Sequence, residues 1–172
     1  IISADRTLTR MRPNRRYGFQ YLGSRRSFVT RLLVAVDVSG SMSSEELAQG
    51  FSLINQFFKY GVPSIDVIQF DTEIKGAPLT LKRARHEIEV VGRGGTNFSP
   101  IMTYLDHHRT YDGLLIFTDG HAPPPTPPQN RRTRMLWLFN HEANYRQIYP
   151  NLKQLGRGAF IRAAARSFHA AR

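Results

Sequence analysis

Apolar residues along this chain fall into short continuous runs that are separated by polar or periodic segments. Three runs are rich in Val, Leu, Ile and Phe, and they occupy residues 31–37, 111–118 and 133–139. Continuous apolar runs of this length are typical of strands buried on both faces of a parallel sheet. A fourth strand is predicted at 64–70, and a short strand around 159–161 would complete the sheet.

The segments between these strands predict helices. Ser43 and Glu46 have the spacing of a capping box, which marks the start of a helix. The apolar residues that follow recur on one helical face: Leu47, Phe51, Ile54 and Phe58. A second helix is expected to begin at Asn97 or Ser99, and a short third helix is expected at 145–149. Strands that alternate with helices predict a three-layer, doubly wound α/β fold, with a mostly parallel sheet and helices on both faces.

Three other segments carry weaker patterns. Residues 71–76 predict a turn or the start of a short hairpin. Residues 85–91 alternate charged and apolar side chains, as a half-solvated edge strand would. Five prolines between 121 and 130 predict a loop that is extended and exposed.

The first thirty residues are expected to form a basic arm or linker ahead of a single domain at 31–172. They are predicted to be irregular, apart from a short strand around 17–21 where three aromatic residues alternate. Residues 1–31 hold eight Arg against one acid, in a chain whose net charge is +11. This charge favours an acidic protein surface or nucleic acid as a partner, although no groove-binding motif accompanies it. A solvated arm without a partner remains an alternative. The arginines predicted to contact an acidic surface are Arg12, Arg15, Arg16, Arg25 and Arg26.

Composition limits the class of protein. Hydrophobic residues make up 41% of the chain and charged residues 22%, which favours a globular domain over a disordered chain. No apolar run approaches the ~18 residues that cross a bilayer, so no membrane association is predicted. The absence of Cys excludes disulfides and thiolate metal sites, and a cytoplasmic location is expected. Because the chain does not begin with Met, it is expected to be a fragment of a longer protein.

Polar side chains stand where predicted strands end. Asp37, Ser39 and Ser41 follow the first strand, Thr96 lies in a glycine-rich loop, and Asp119 ends a later strand. In open α/β sheets, ligands bind at the carboxyl ends of the strands, where these residues would meet. Two carboxylates and three hydroxyls are hard oxygen ligands, which suit Mg²⁺, with Mn²⁺ or Ca²⁺ as alternatives. Each residue alone could be an ordinary turn or helix cap, but that interpretation does not explain the whole set.

The same five residues resemble the metal-ion-dependent adhesion site of von Willebrand factor A-type (VWA) domains. The resemblance implies that Ser39 and Ser41 ligate the ion directly, and that Thr96 ligates it directly or through water. It also implies that Asp37 and Asp119 act mainly through waters or hydrogen bonds. The sixth position would take water or a partner's carboxylate, so the implied function is a metal-dependent protein-interaction module.

A narrower resemblance covers nearly the whole chain. The chain resembles the VWA-like C-terminal domain of a bacterial family of predicted metal-dependent peptidases, through residues 13–16, 36–42, 94–96, 117–120 and 135–137 and the proline-rich loop. In that family an N-terminal domain carries an H-E-x-x-H zinc motif. Here His141 and Glu142 are not followed by a second His at the required spacing, so this domain is not expected to be an enzyme. The resemblance implies two partners, the parent peptidase-like domain and a MoxR-type AAA+ ATPase.

Two further residues and two further functions remain open. His121 and Asp71 could line the rim of the site, although a loop histidine and an exposed turn residue are the ordinary interpretations. One alternative function is RNA binding, because the Ro-type ribonucleoprotein also pairs a VWA-like fold with RNA. The other is metal-dependent hydrolysis at the same site, for which only His121, Asp71 or the two site carboxylates could act as a base.

Overall fold

Chain contacts divide the protein into two units, residues 1–30 and residues 31–172. The computed structural model describes residues 5–9, 23–27, 31–60, 62–83, 89–92 and 94–162.

The first unit contains an antiparallel strand pair. Strand β1 (Asp5–Thr9) pairs with β2 (Gly23–Ser27), so the prediction of an irregular arm is wrong for these two segments. Both strands consist mostly of polar residues, and they therefore lack the apolar pattern from which strands are predicted. Arg25 and Arg26 lie in β2, whereas Arg12, Arg15, Arg16 and the predicted strand at 17–21 lie outside the described residues.

The second unit is built on a six-stranded sheet. Its strands are β3 (Leu32–Asp37), β4 (Ile65–Phe70), β5 (Ile74–Leu81), β6 (Gly113–Thr118), β7 (Arg134–Phe139) and β8 (Arg157–Phe160). The spatial order is β5-β4-β3-β6-β7-β8, and all neighbours are parallel except β5, which is antiparallel to β4. The strand order reverses at β3, because β4 lies on one side of it and β6 on the other.

Helices cover both faces of this sheet. They are α1 (Ser44–Lys59), α2 (Ser99–His107) and α3 (Glu142–Leu152). On one face α1 packs against a core that includes Val34, Val36 and Phe117. On the other face α2 and α3 pack against a core that includes Trp137 and Phe139. The three-layer, mostly parallel α/β fold predicted from the sequence is confirmed, and none of the described helices has the length and apolarity to cross a membrane.

Local chemistry explains where α1 begins and how closely it packs. The Ser43 hydroxyl accepts a hydrogen bond from the Glu46 amide at 3.2 Å, and the Glu46 carboxylate accepts one from the Ser43 amide at 2.7 Å. This is the predicted capping box, and such caps contribute about 1 kcal/mol. A side chain at Gly50 would place its Cβ 2.4 Å from the Phe117 ring, so the glycine lets the helix approach the sheet.

The edge strand predicted at 85–91 is not found in the part of that segment that the structure describes. Residues 84–88 lie outside the described ranges, residues 89–91 are not in a strand, and the edge strands of the described sheet are β5 and β8. The Gln69 side chain takes the place of strand pairing here. Its amide nitrogen donates to the Glu89 carbonyl at 2.6 Å, and its oxygen accepts from the Val91 amide at 2.8 Å.

The proline-rich loop has no helix or strand, as predicted, but it is not exposed throughout. Pro125, Pro128 and Asn130 are buried, so the expectation of exposure is wrong for these residues. Asn130 explains the difference. Its backbone amide donates to the Asp106 carboxylate at 2.8 Å, and its side-chain amide donates to the Thr133 hydroxyl at 3.0 Å. These bonds hold the end of the loop against the domain.

Candidate metal centre at the carboxyl edge of the sheet

Asp37 is the last residue of β3, and its carboxylate is completely buried. One oxygen accepts a hydrogen bond from the Ser39 amide at 3.0 Å, and the other accepts one from the Thr118 hydroxyl at 2.5 Å. The Thr118 oxygen in turn accepts from the Gly120 amide at 2.9 Å. Asp37 is therefore fixed in orientation and tied to the end of the neighbouring strand β6. Sequence analysis missed Thr118, for which the only signal is its place next to Asp119.

Ser39 and Ser41 lie in the turn that leads from β3 into α1. Ser39 is buried and Ser41 is exposed, and the turn is closed by a bond from the Met42 amide to the Ser39 carbonyl at 3.1 Å. The two hydroxyl oxygens are 3.1 Å apart and share a hydrogen bond, in which either can be the donor. Neighbouring ligands of an octahedral Mg²⁺, each about 2.1 Å from the ion, are about 3 Å apart. The serine pair therefore has the spacing of two adjacent ligands.

Asp119 follows β6 directly and is only 3% exposed. One of its carboxylate oxygens accepts a hydrogen bond from the His121 amide at 3.0 Å. Burial raises the pKa of Asp37 above its ordinary value, and the charge of Asp119 adds to the effect, against hydrogen bonds from Thr118 and Ser39. Two buried carboxylates that repel each other are costly without a counter-charge, and a cation between them would remove that cost.

The glycine-rich loop that contains Thr96 is fastened to this edge by backbone bonds. The Gly40 amide donates to the Gly94 carbonyl at 3.0 Å, which joins the loop to the serine turn. The Asn97 amide donates to the Asp71 carbonyl at 2.8 Å. Half-buried Thr96 lies between these two anchors. All five predicted ligands therefore belong to three loops at the carboxyl edge of β3, β4 and β6.

Asp71 is not the exposed turn residue of the ordinary interpretation, because it is only 2% exposed. One of its oxygens accepts from the Gly94 amide at 3.1 Å, and the other accepts from the Glu73 amide at 3.2 Å and lies 3.3 Å from the Lys75 ammonium. Asp71 thus holds the glycine-rich loop in place. His121 is exposed two residues after Asp119, and a role for either residue at the rim of the site stays a prediction.

A second polar cluster at the same edge was not recognised from the sequence. The Asn140 side chain donates to the Glu46 carboxylate at 2.5 Å, and His141 Nε2 lies 2.8 Å from the same Glu46 oxygen. Asn144 donates to the Asn140 side-chain oxygen at 2.9 Å. Burial alone would raise the pKa of Glu46, but hydrogen bonds from Ser43 and Asn140 and the charge of His141 lower it overall. The one available signal was that Asn140 follows a buried strand, as Asp119 does.

The donor set is compatible with a hard cation that keeps several waters. Within the described ranges, no three His, Asp or Glu side chains come together in a group that could hold a metal ion. The predicted set has only two carboxylates, so an ion here would depend on the serine and threonine hydroxyls and on water. Mg²⁺ tolerates few protein ligands because it gives up its hydration waters reluctantly.

An open α/β sheet with polar loops at the reversal of strand order is the architecture of doubly wound α/β domains, and VWA-like domains are one class of these. Residues 32–155 match a family described as VWA-like domain (DUF2201), and the chain belongs to this family. An uncharacterized protein of Thermotoga maritima is 30% identical to the chain over 160 residues. That alignment covers 93% of the chain and 39% of the relative, so the chain spans about two fifths of the relative's length. The resemblance predicted from the sequence is thereby confirmed for the VWA-like fold.

Proposed function

We propose that residues 31–172 form a divalent-metal-dependent protein-interaction module. The metal, Mg²⁺ with Mn²⁺ or Ca²⁺ as alternatives, would be held by Asp37, Ser39, Ser41, Thr96 and Asp119. The observation that carries this proposal is the pair of serine hydroxyls, 3.1 Å apart, beside two buried carboxylates that repel each other. A partner's acidic group would then bind at the open coordination position of the ion.

The chain's own residues would prepare this position before a partner arrives. Asp37 contributes negative charge from a fixed orientation, because hydrogen bonds hold both of its oxygens. Ser41 is exposed and Ser39 is buried, so the hydroxyl pair extends from the interior towards solvent. When bound, the ion would supply positive charge and an open coordination position. Without it, a partner's carboxylate would meet two carboxylates and be repelled.

The contacts of the acidic side chains support binding over hydrolysis. A hydrolase needs a general base within reach of a metal-bound water. Both oxygens of Asp37 accept hydrogen bonds in the interior, and both oxygens of Asp71 are engaged with the glycine-rich loop and its own turn. That leaves His121 and Asp119 as candidates, of which Asp119 already accepts the His121 amide. Because only His121 and one Asp119 oxygen remain for this role, we propose that the domain binds a partner and is not itself an enzyme; the substrate panel described below tests this.

Calorimetric titration with Mg²⁺, Mn²⁺ and Ca²⁺ tests the metal centre. We expect binding by the unaltered chain, and loss of binding in Ser39→Ala and Asp119→Asn. The matched control is Ser52→Ala, which removes an exposed hydroxyl on α1 and should bind the metal normally. Absence of heat at millimolar Mg²⁺ and Mn²⁺ in the unaltered chain would refute the proposal.

Capture of a partner tests the interaction itself. Asp37→Ala, Ser39→Ala and Thr96→Ala should each abolish metal-dependent capture, and circular dichroism should show that each variant stays folded. Asp37→Ala should be the least stable of the three, at a cost of about 1–3 kcal/mol, because the Ser39 amide and the Thr118 hydroxyl lose their acceptor. The same purified proteins should be assayed on a panel of peptide and phosphoester substrates. Metal-dependent turnover that is lost in Asp37→Ala would overthrow the interaction proposal in favour of hydrolysis.

The wider context of the domain is also proposed, and it rests on the resemblance to peptidase-associated VWA-like domains. We propose that a longer parent protein carries a metallopeptidase-like domain, and that a MoxR-type AAA+ ATPase is a partner. The length difference from the Thermotoga maritima relative is compatible with a multidomain parent. Pull-down followed by mass spectrometry should recover such an ATPase with the intact parent protein. The Asp37→Ala variant of the parent should not recover it.

A further inference from the structure

A groove opens at the opposite edge of the sheet, where the parallel strands begin. β7 begins at Arg134 and β8 at Arg157, and Lys153 caps the C-terminal end of α3 beside them. These three residues, the groove cations, line an open groove of about 800 Å³. Asp37 ends β3 and Asp119 follows β6, so the groove and the candidate metal centre lie at opposite edges of the sheet.

The charge of this groove is uncompensated in the described part of the chain. All three groove cations are exposed, and none of them forms an ion pair or a side-chain hydrogen bond with another described residue. The described residues that line the groove include no Asp or Glu. Arg131 lines an adjoining cavity of about 140 Å³, which shares Gln154 and Leu155 with the groove. Cations that converge without counter-ions attract anionic ligands.

The shape of the groove depends on two close backbone approaches. A Cβ at Gly156 would lie 2.5 Å from the Met135 carbonyl oxygen, and a Cβ at Gly158 would lie 2.4 Å from the Tyr149 ring. The loop after α3 and the start of β8 can therefore pack against β7 and α3 only because these residues are glycines. Half-buried Met135 and Leu155 add apolar surface between the cations.

Among the described residues that line the groove, the one aromatic ring is that of Tyr149, and it is already engaged. Tyr145 stacks on the Tyr149 ring with centroids 5.0 Å apart, and Gly158 lies against the same ring. The Tyr149 hydroxyl donates to the Gly156 carbonyl at 3.3 Å. Proteins that bind single-stranded nucleic acid stack bases on free aromatic faces, which this groove does not offer among its described residues. Cations interleaved with aliphatic side chains fit an acidic peptide better.

We propose that this groove binds an acidic protein segment, whose carboxylates contact the groove cations while an apolar side chain packs against Met135 and Leu155. Each of the two arginines can donate two parallel hydrogen bonds to one carboxylate, whereas Lys153 offers a point charge. The groove does not involve any residue of the candidate metal centre, so its function does not depend on a bound ion. Failure of one proposal therefore leaves the other in place.

The probe is a short fluorescein-labelled peptide in which Glu and Leu alternate, titrated against the full chain without divalent metal. Comparison probes are the peptide with Gln in place of Glu and a labelled oligouridylate of equal length. The groove variant combines Arg134→Glu, Lys153→Glu and Arg157→Glu. The matched control makes the same charge change at exposed cations that do not line the groove, with Lys59→Glu, Lys82→Glu and Arg83→Glu.

We expect the groove variant to bind the Glu–Leu peptide at least about tenfold more weakly than the control variant, because charged contacts at a binding surface contribute on this scale. The Gln–Leu peptide should bind weakly to every protein. In amide NMR spectra, the Glu–Leu peptide should shift Gly156 and Gly158 but not Gly120 at the other edge. Equal affinity of the two variants, or unshifted Gly156 and Gly158, would overturn the proposal. The proposal would also be overturned, in favour of nucleic acid, if the chain bound oligouridylate more tightly than the Glu–Leu peptide and the groove variant lost that binding.

Discussion

The two edges of the sheet in residues 31–172 differ in how they obtain their chemistry. At the carboxyl edge, Asp37 and Asp119 are almost completely buried and accept hydrogen bonds from their own turns, and Asp37 also accepts one from Thr118 of β6. At the amino edge, the groove cations are exposed and have no ion-pair partner among the described residues. The first edge is specified by buried, hydrogen-bonded carboxylates and the second by exposed charge, although close glycine packing occurs at both edges. Substitutions at the two edges should therefore differ in how they change the unfolding free energy and the response to metal.

The largest effect is expected from a bulky residue at the amino edge. Gly158→Val would place a Cβ 2.4 Å from the Tyr149 ring, and overpacking as close as this should cost about 3 kcal/mol of unfolding free energy, at the upper end of the usual range of about 1–3 kcal/mol. At the carboxyl edge the matched change is Gly95→Val, because the nearest atom to a Cβ there is 3.7 Å away on Thr72. It should cost less than about 1 kcal/mol. Urea unfolding measures the unfolding free energy of both variants. Equal losses would contradict the close packing inferred at Gly158.

The next effect is stabilisation by metal at the carboxyl edge. Mg²⁺ at ~100 times its Kd should add ~2.7 kcal/mol to the unfolding free energy, because the ion binds only the folded state. The gain should vanish in Asp119→Asn and persist in the groove variant. Thermal melting with and without Mg²⁺ measures this gain. If Mg²⁺ still raises the melting temperature of Asp119→Asn, the ion binds elsewhere.

A smaller effect is expected from acid, through the Glu46 cluster at the carboxyl edge. The pKa of Glu46 is lowered in the folded protein from its ordinary value of 4.5. Its stabilisation is therefore fully present above that ordinary value and is lost as the pH falls through the lower, folded value. Unfolding followed from neutral to acidic pH should show a shallower acid loss of stability in Glu46→Gln than in the unaltered chain. Identical slopes would mean that the contacts of Glu46 with Ser43, Asn140 and His141 do not stabilise its charged form.

The smallest effect is expected from charge reversal at the amino edge. The groove variant should change the unfolding free energy by no more than about 0.5 kcal/mol, because exposed side chains without partners contribute little to folding. Its melting temperature should stay close to that of the Lys59, Lys82 and Arg83 control. A loss of several kcal/mol would show that the groove cations are structural and are not available to a ligand.

The sequence predicted the elements whose apolar residues are continuous or periodic. β3, β6 and β7 were found because both of their faces are buried, and α1 because its cap and its apolar face agree. β5 was expected only as the beginning of a hairpin, since Gly76 and Pro78 interrupt it and most of its residues are exposed or half-buried. What holds β5 in place is backbone pairing with β4, which leaves no mark on the hydrophobic pattern.

The five proposed ligands were recognised because they lie at strand ends with a familiar spacing, whereas their supports were not recognised. Asp71 is buried only because a loop more than twenty residues later folds over it. Glu46 and Asn140 meet across 94 residues, and neither has a local pattern that predicts the contact. Contacts of this kind depend on strand order and on the height of each loop above the sheet, which one sequence does not specify.

Trp137 gives the protein a built-in optical sensor. It is the only tryptophan in the chain, it is completely buried, and its indole nitrogen has no hydrogen-bond partner among the described residues. Its ring packs edge-on against Phe98, two residues after Thr96, with centroids 5.0 Å apart. Its emission should therefore be blue-shifted, as expected for a dry indole, and any repacking of the glycine-rich loop should alter it. Events at the carboxyl edge can thus be followed in real time by intrinsic fluorescence, without attaching a dye.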